Sequence, residues 1–419
     1  MGGPAPRTAS AGTPADPHDG HDDRSGAPQP AARGDGTDSA ALGDPLHRWL
    51  EPLTPHSPVV VADVHLYRYE LPLTAPLRLG DATLRHRRGL LLRVETEQGT
   101  VGWGEAAPLP GFSDETLSEV VTGAREAASR WTGTEIPDGK AALNRSLAAF
   151  PVGLGGPPSL RFAAESVVVM LLAAVRDTSV PAVLGTPRST VTLNALVTSL
   201  DDGPEQAARY RKQGYRAVKV KVGRGEMEKE VDALRAIRRE IGDGMALRAD
   251  ANRAWSLDEA VAFAAATRDV GMAYVEEPLA DPSRLSELAT KTTLPVALDE
   301  TTREVGPEVL RGDGSVAAVV LKPTLLGGIQ KTRAWSRIAQ EQGATPVISA
   351  AYESGIGLRM LVALAAVGPD VPVGLSTYDR LAADVLRSSL PVDGPTIDVE
   401  TVANAPVSVD DSHLDRVEL

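Results

Sequence analysis

The sequence predicts an α/β protein, a TIM-like (β/α)8 barrel preceded by a smaller α+β domain. Three observations point there. Eight short apolar, strand-like runs follow one another from Thr190 onward, with helical segments between them. Five runs close on a charged residue: Lys221 in AVKVKVG, Asp250 in LRADAN, Glu276 in AYVEEPL, Asp299 in PVALDE and Lys322 in VVLKPT. These five stand 29, 26, 23 and 23 residues apart, about what one strand, one helix and two short loops consume.

Taken in chain order, residues 1–45 are rich in Gly, Pro, Ala, Asp and Ser and hold no apolar run. They read as a disordered tail, unable to bury enough surface to offset its ordering entropy. The tail lacks the apolar core of a secretory signal, and Asp16, Asp19, Asp22 and Asp23 argue against a basic transit peptide. Residues 59–188 read as the α+β domain. VVVADVHLYRYEL and GLLLRVETEQGTVGWGEA are antiparallel strands, the second turned as a hairpin at Gln98 and Gly99. SDETLSEVVTGAREAASRW has helical spacing: Ser113, Glu115 and Thr116 offer an N-cap region, and Leu117, Val120, Val121 and Ala124 share a face. PSLRFAAESVVVMLLAAVRD is a more apolar helix, expected to be buried between domains. Residues 189–389 carry the barrel strands TVTLNALV, AVKVKVG, MALRADAN, AYVEEPL, PVALDE, AVVLKPT, PVISAAYE and PVGLST, with helices such as EMEKEVDALRAIRREIG between them. Residues 390–419 look extended and are expected to return to the first domain.

Composition narrows the function. The chain has no cysteine, which removes disulfides, thiolate nucleophiles and Cys-based metal sites and fits a cytoplasmic enzyme. A net charge of −13 disfavours nucleic-acid binding. No run of 18 apolar residues is present, so no membrane span is expected. Histidine is absent between residues 87 and 412. Lysines and carboxylates must therefore move protons in the barrel, and a metal there has oxygen ligands.

Lys219 and Lys221 alternate with Val218, Val220 and Val222, so both ammonium groups share one face of the strand. A half-exposed surface strand shows the same alternation; inside a parallel barrel, two inward lysines need a functional reason. Residues two apart on a strand lie about 6.7 Å apart. At an effective dielectric near 20, like charges there repel by about 2.5 kcal/mol, enough to draw one lysine from about 10.4 toward about 8.5. Lys221, nearer the strand end, is expected to be the acid/base, tuned by Lys219. Any one of Asp250, Glu276 and Asp299 could be a helix cap. Three at matching strand ends demand a cation, and oxygen-only ligation favours Mg²⁺, with Mn²⁺ as a substitute. Alternation turns Glu277 and Glu300 to the other face, toward supporting work. Lys322 stands across the mouth from Lys221, placed to put a cation over the other face of a bound substrate.

With these residues in hand, the chain resembles the enolase superfamily, muconate-lactonising subgroup: a Lys-x-Lys on the second strand, carboxylates ending the third to fifth, and a lysine ending the sixth. The match covers about 60 to 415 and implies an N-terminal α+β capping domain. GWGEAAPLPGFSDET, PSLRF and LRADANRAW resemble the o-succinylbenzoate synthase family within it. That resemblance implies a small carboxylate substrate, 2-succinyl-6-hydroxy-2,4-cyclohexadiene-1-carboxylate, bound to Mg²⁺. Lys221 would remove the proton α to the carboxylate to give an enediolate, and water would then leave. It also implies substrate contacts for Arg248, with an inward salt bridge as the other reading, and a supporting hydrogen bond from Asn252. Ser349, Ser354 and Gly355 would meet the succinyl carboxylate, though SAAYESGIG has small residues where the family usually presents several serines. Loops near 76–88 and 110–114 would close the mouth, with Arg85 or Arg87 near the succinyl tail.

Two other readings compete. N-succinylamino acid racemisation, or a related epimerisation, would use Lys221 and Lys322 as opposed bases. For a dipeptide epimerase the eighth strand, VGLSTYDRL, shows only Asp379 where an Asp-x-Asp is usual. A barrel that only binds is disfavoured by the complete five-residue set. Oligomeric state is not encoded in any motif.

Overall fold

The computed structural model describes residues 58–79, 82–138, 143–153, 156–311 and 316–419. The expected disordered tail, residues 1–45, lies outside the described residues. The first domain is built on β1 (Val59–Leu79), β2 (Ala82–Thr96) and β3 (Val101–Ala106), paired antiparallel in sequence order, with the short β4 (Glu135–Ile136) on β1. Gly99, at φ +79°, supplies the left-handed residue of the β2–β3 turn. The helix α1 (Leu117–Trp131) starts at Thr116, not Ser113: the Thr116 side chain accepts from the Glu119 N–H while Glu119 reaches back to the Thr116 N–H. Val120, Val121 and Ala124 are buried on its inner face. Two short helices, α2 (Leu143–Leu147) and α4 (Val180–Leu184), flank the longer α3 (Pro158–Val175).

The helix α3 lies directly on β3. A Cβ at Gly104 would stand 2.1 Å from the Ala163 carbonyl oxygen, and one at Gly102 2.8 Å from Leu171. Close backbone approach is therefore the reason for the two glycines in GWGE. By length and mean hydropathy α3 could cross a membrane, but Arg161 and Glu165 interrupt its apolar residues and 72% of it is buried inside the structure, as a core helix is.

The barrel follows as β5 (Thr190–Thr192), β6 (Ala195–Val197), α5 (Gly203–Lys212), β7 (Ala217–Lys221), α6 (Met227–Ile241), β8 (Ala246–Asp250), α7 (Leu257–Ala266), β9 (Tyr274–Glu276), α8 (Leu285–Lys291), β10 (Val296–Leu298), α9 (Thr301–Glu304), β11 (Val316–Leu321), α10 (Pro323–Leu326), α11 (Ile329–Glu341), β12 (Thr345–Ile348) and α12 (Gly355–Val367). Strands β6 to β12 form one parallel sheet in sequence order. The eighth strand expected from PVGLST shrinks to two bridging residues: Gly374 pairs with Ser349 and Val373 with Leu193. Pro372 has no N–H to donate, so regular pairing cannot extend backward through it. The first expected strand is likewise divided. Only β6 joins the sheet, while β5 pairs antiparallel with β13 (Thr396–Asp398), which leads into α13 (Val399–Asn404). The last strand, β14 (Leu414–Val417), pairs antiparallel with β1 of the first domain.

The valines of β7 are buried, as are Leu247 and Ala249 of β8 and Val275 of β9. Alternation then sends Lys219, Lys221, Arg248, Asp250, Tyr274 and Glu276 to the other face. A second, small apolar cluster sits apart from the main core: Leu79, Leu109, Leu325 and Ala351, with Phe112 and Tyr352 packed against it. It joins first-domain loops to strand ends of the barrel.

Candidate active site

Parallel register brings the five charged residues to one end of the sheet. Lys221 is paired with Asp250 and Asp250 with Glu276, while Asp299 and Lys322 each follow the last residue of β10 and β11. All three carboxylates are buried. Lys219 Nζ bridges Glu276 at 2.9 Å and Asp250 at 3.3 Å. Lys221 Nζ is 3.4 Å from Asp250 and donates to Asn252 Oδ1 at 2.6 Å. Lys322 Nζ lies against Asp299. The Lys221 side chain is 35% exposed against 19% for Lys219 and 17% for Lys322, so it is the ammonium most open to a ligand.

Environment pushes these groups apart. Burial lowers Lys221, and the charges of Lys219 and Arg224 add to that, against the pull of Asp250. Burial also works against charge on Lys219, but Glu276, Asp250 and Asp299 overcome it and hold this lysine well above its usual value. Lys322 is raised in the same way, by Asp299 against burial. Asp250, although buried, is drawn down to about 2 by Lys219, Lys221 and Lys322. Glu276 is raised, first by burial and then by the neighbouring carboxylates.

Among the described residues no three His, Asp or Glu side chains stand close enough, as they lie, to hold a metal ion. The expected carboxylate cluster is instead interleaved with ammonium groups, which neutralise the buried anions. Its donors remain oxygen atoms throughout, the kind a hard divalent cation takes.

Supporting residues are more engaged than spacing suggested. Asn252 holds Lys221 and donates weakly to Glu300, 3.4 Å away. The second oxygen of Glu300 is buried without a partner, and burial and Asp299 raise its pKa. Glu277 does turn away from the mouth: it accepts the N–H groups of Asp299 and Thr301, both at 2.8 Å, and is braced by Arg253. Asn252, Arg253, Glu277 and Tyr352 all have positive φ, between 40° and 63°. Left-handed backbone at four non-glycine residues beside strand ends is strain stored where the loops bend into the site.

Several expected substrate contacts are already spent within the protein. Ser354 donates its N–H at 2.9 Å and its hydroxyl at 2.6 Å to the buried Glu105 of β3, which also takes the Gly357 N–H and the Tyr69 hydroxyl. The Gly355 N–H goes to Asp384 at 2.9 Å. These carboxylates occupy the start of α12, where a substrate carboxylate was expected. Ser349 donates its hydroxyl to the Gly374 carbonyl at the barrel closure. Among the described residues Arg248 makes no inward salt bridge: its Nη1 bonds Asn194 and the Pro372 carbonyl, its guanidinium lies over the Tyr274 ring at 5.0 Å, and its Nε is buried without a partner. Arg87 is 1% exposed and is used up on backbone carbonyls of both domains, including those of Pro108 and Tyr352.

The residues missed from sequence are those that carry the capping loop onto the barrel. Arg303 of α9 donates to the Phe112 carbonyl, and the Phe112 ring lies 5.5 Å from Lys322 Nζ. The GFS of the capping segment was the available signal, since an aromatic in a loop expected to close a charged mouth has a cation to meet.

Comparison with known proteins agrees with this architecture. Residues 203–406 match the "Enolase C-terminal domain-like" family and residues 61–150 the "MenC, N-terminal domain" family. The o-succinylbenzoate synthase of Haemophilus influenzae is 34% identical over 80% of this chain and 96% of its own length. That of Pectobacterium atrosepticum is 32% identical over 78% and 95%. Among solved structures, a dipeptide epimerase from Cytophaga hutchinsonii, complexed with Mg and a dipeptide, superposes with a TM-score of 0.73 at 21% identity, covering 85% of this chain and 99% of its own. At that identity the likeness carries the fold alone. Taken together, the barrel, its capping domain and these relatives place the chain in the o-succinylbenzoate synthase family of the enolase superfamily.

Proposed function

We propose that this protein dehydrates 2-succinyl-6-hydroxy-2,4-cyclohexadiene-1-carboxylate to 2-succinylbenzoate, a step of menaquinone biosynthesis. The reading is supported by one arrangement: Lys221 ends β7 and Lys322 follows β11, and the strands that lead to Asp250, Glu276 and Asp299 lie between them in the sheet. Asp250, Glu276 and Asp299 would hold Mg²⁺, or Mn²⁺ in its place, their oxygen-only donor set suiting a hard cation. Bound there, such an ion supplies positive charge to the substrate carboxylate and so makes the adjacent C–H more acidic.

The chain's own residues do the rest. Lys221, held by Asn252 and lowered by burial, takes the proton from the carbon next to the ring carboxylate. Lys219, kept charged by Glu276 and Asp250, adds fixed positive charge below it. Lys322, also kept charged, faces the negative charge that develops as the C–H bond breaks. Lys221 then returns its proton to the departing hydroxyl, so water leaves and the ring becomes aromatic. A cytoplasmic setting suits the cysteine-free chain.

The test is turnover of the cyclohexadiene by the full chain in Mg²⁺, followed by the absorbance of the aromatic product. The two-lysine arrangement also equips racemisation of N-succinyl amino acids, so these belong in the same assay in deuterated water. Rapid α-proton exchange in them without aromatic product overturns the dehydration reading.

A further inference from the structure

We infer that Thr324 and Glu353 hold Lys322 in place: a buried carboxylate on the loop after β12 fixes the turn that presents this ammonium to the mouth. This rests on the dehydration reading above, which sets Lys322 against the developing negative charge.

The segment that follows Lys322 cannot shape itself. The helix α10 has four residues, too few to be stable alone. Its first residue, Pro323, has no N–H, and two left-handed glycines, Gly327 at φ +100° and Gly328 at φ +106°, end it. Lys322 contributes its carbonyl, which accepts the Leu325 and Leu326 N–H groups at 2.9 and 2.8 Å. Contacts from elsewhere must therefore set where the Lys322 side chain starts, and two buried carboxylates supply them. Glu165 of α3 takes the Ile329 and Gln330 N–H groups beyond the glycines. Glu353 acts at the near end: its Oε1 accepts the Thr324 hydroxyl at 2.6 Å, and its Oε2 accepts the Ala351 N–H at 2.6 Å.

Glu353 is itself fixed. It is 1% exposed, and Thr324 is fully buried. Arg87 of β2 donates to the carbonyls of the two preceding residues, Tyr352 at 2.9 Å and Ala351 at 3.2 Å, and Ser354 after it is held by Glu105. Tyr352, at φ 63°, is kept in a left-handed conformation that a bulky residue rarely adopts. Burial raises the Glu353 pKa, and the Thr324 hydroxyl works against that rise. A carboxylate buried at such cost, where an apolar side chain would fill the space, is placed for the bond it makes. That bond reaches two residues past Lys322, whose Nζ lies against Asp299 and 5.5 Å from the Phe112 ring. A shift of about 1 Å in the turn would carry the ammonium with it, and catalysis is sensitive to displacements of that size.

Steady-state kinetics of the full chain on the cyclohexadiene in Mg²⁺ tests this. Thr324→Val, which keeps the shape and drops the hydroxyl, should lower kcat about 10- to 100-fold with KM within about twofold. Thr324→Ser, which keeps the hydroxyl, should restore most of kcat. Thr267→Val removes another buried hydroxyl, one bonded to the Phe263 carbonyl of α7, and should leave kcat unchanged. Crystals of Thr324→Val should show Lys322 Nζ moved from its place against Asp299. If that variant does not fold, Glu353→Gln replaces it in both measurements, with the same loss of kcat at steady KM. Unchanged kcat in Thr324→Val, a loss confined to KM, an equal loss in Thr324→Ser or Thr267→Val, or an unmoved Lys322 overturns the inference. Failure of the dehydration reading shows separately, as absence of cyclohexadiene turnover by the wild type, and the crystal measurement then decides the placement of Lys322.

Discussion

Lys221 and Asn252 are joined by a 2.6 Å hydrogen bond, closer than the 3.4 Å between the same ammonium and Asp250. Asn252 is therefore the residue that aims the lysine, and its left-handed backbone, at φ 44°, is the cost of doing so. Asn252→Ala should lower kcat about 10- to 100-fold with KM nearly unchanged. Steady-state kinetics checks this; a loss confined to KM would assign Asn252 to substrate binding instead.

Lys221→Ala should abolish turnover while leaving the thermal midpoint within a few degrees of the wild type. The side chain is about a third exposed, and Asp250 keeps Lys219 as a partner when Lys221 is removed. Circular dichroism on heating, beside the turnover assay, separates loss of chemistry from loss of fold.

Chelation should stop turnover, and added Mg²⁺ should restore it, yet the melting temperature should fall little without metal. Lys219, Lys221 and Lys322 already pair with the three buried carboxylates. A large drop in melting temperature on chelation would mean that a metal, not the ammonium groups, supports the fold.

Ser354→Ala should leave KM for the substrate unchanged and cost about 1 kcal/mol of stability. Its hydroxyl and N–H serve Glu105, not the mouth. Glu105→Ala, which strands four donors, should cost roughly 3–5 kcal/mol; denaturant midpoints read both.

Glu165 gives a pH test. Its side chain accepts the N–H groups of Ile329 and Gln330 at the start of α11, and burial raises its pKa from 4.5 to about 7. The folded state therefore holds a proton that the unfolded chain has released. Stability from this group is fully present below about pH 4.5 and lost as pH rises through about 7, to the extent of a few kcal/mol. Glu165→Gln keeps an acceptor and drops the charge, so its advantage in melting temperature over the wild type should grow between pH 5 and 8.

The barrel and the end that carries its charged residues were legible because the signal is local. A strand buries its valines, ends, and leaves its last side chain at the mouth, and Lys221, Asp250 and Glu276 repeat that within each unit. What escaped was decided by partners far along the chain. Ser354 looks like a free donor until Glu105, 249 residues away, is folded against it, and Gly355 until Asp384 takes its N–H. Arg87 looks like a loop cation until carbonyls more than 260 residues away surround it. The eighth strand was misjudged for a nearer reason, since PVGLST has the apolar content of a strand but begins with a residue that cannot donate.

The contacts of α3, Arg87 and Glu105 bear on how a substrate enters. The helix lies on β3 and reaches across to the start of α11, Glu105 reaches from β3 to α12, and Arg87 spans both domains. A swing of the whole capping domain would break buried charged contacts at several separated points at once. An opening that left these contacts in place would be confined to the segment around Phe112, a door set in a fixed wall, with the Arg303–Phe112 bond as the contact it would have to release.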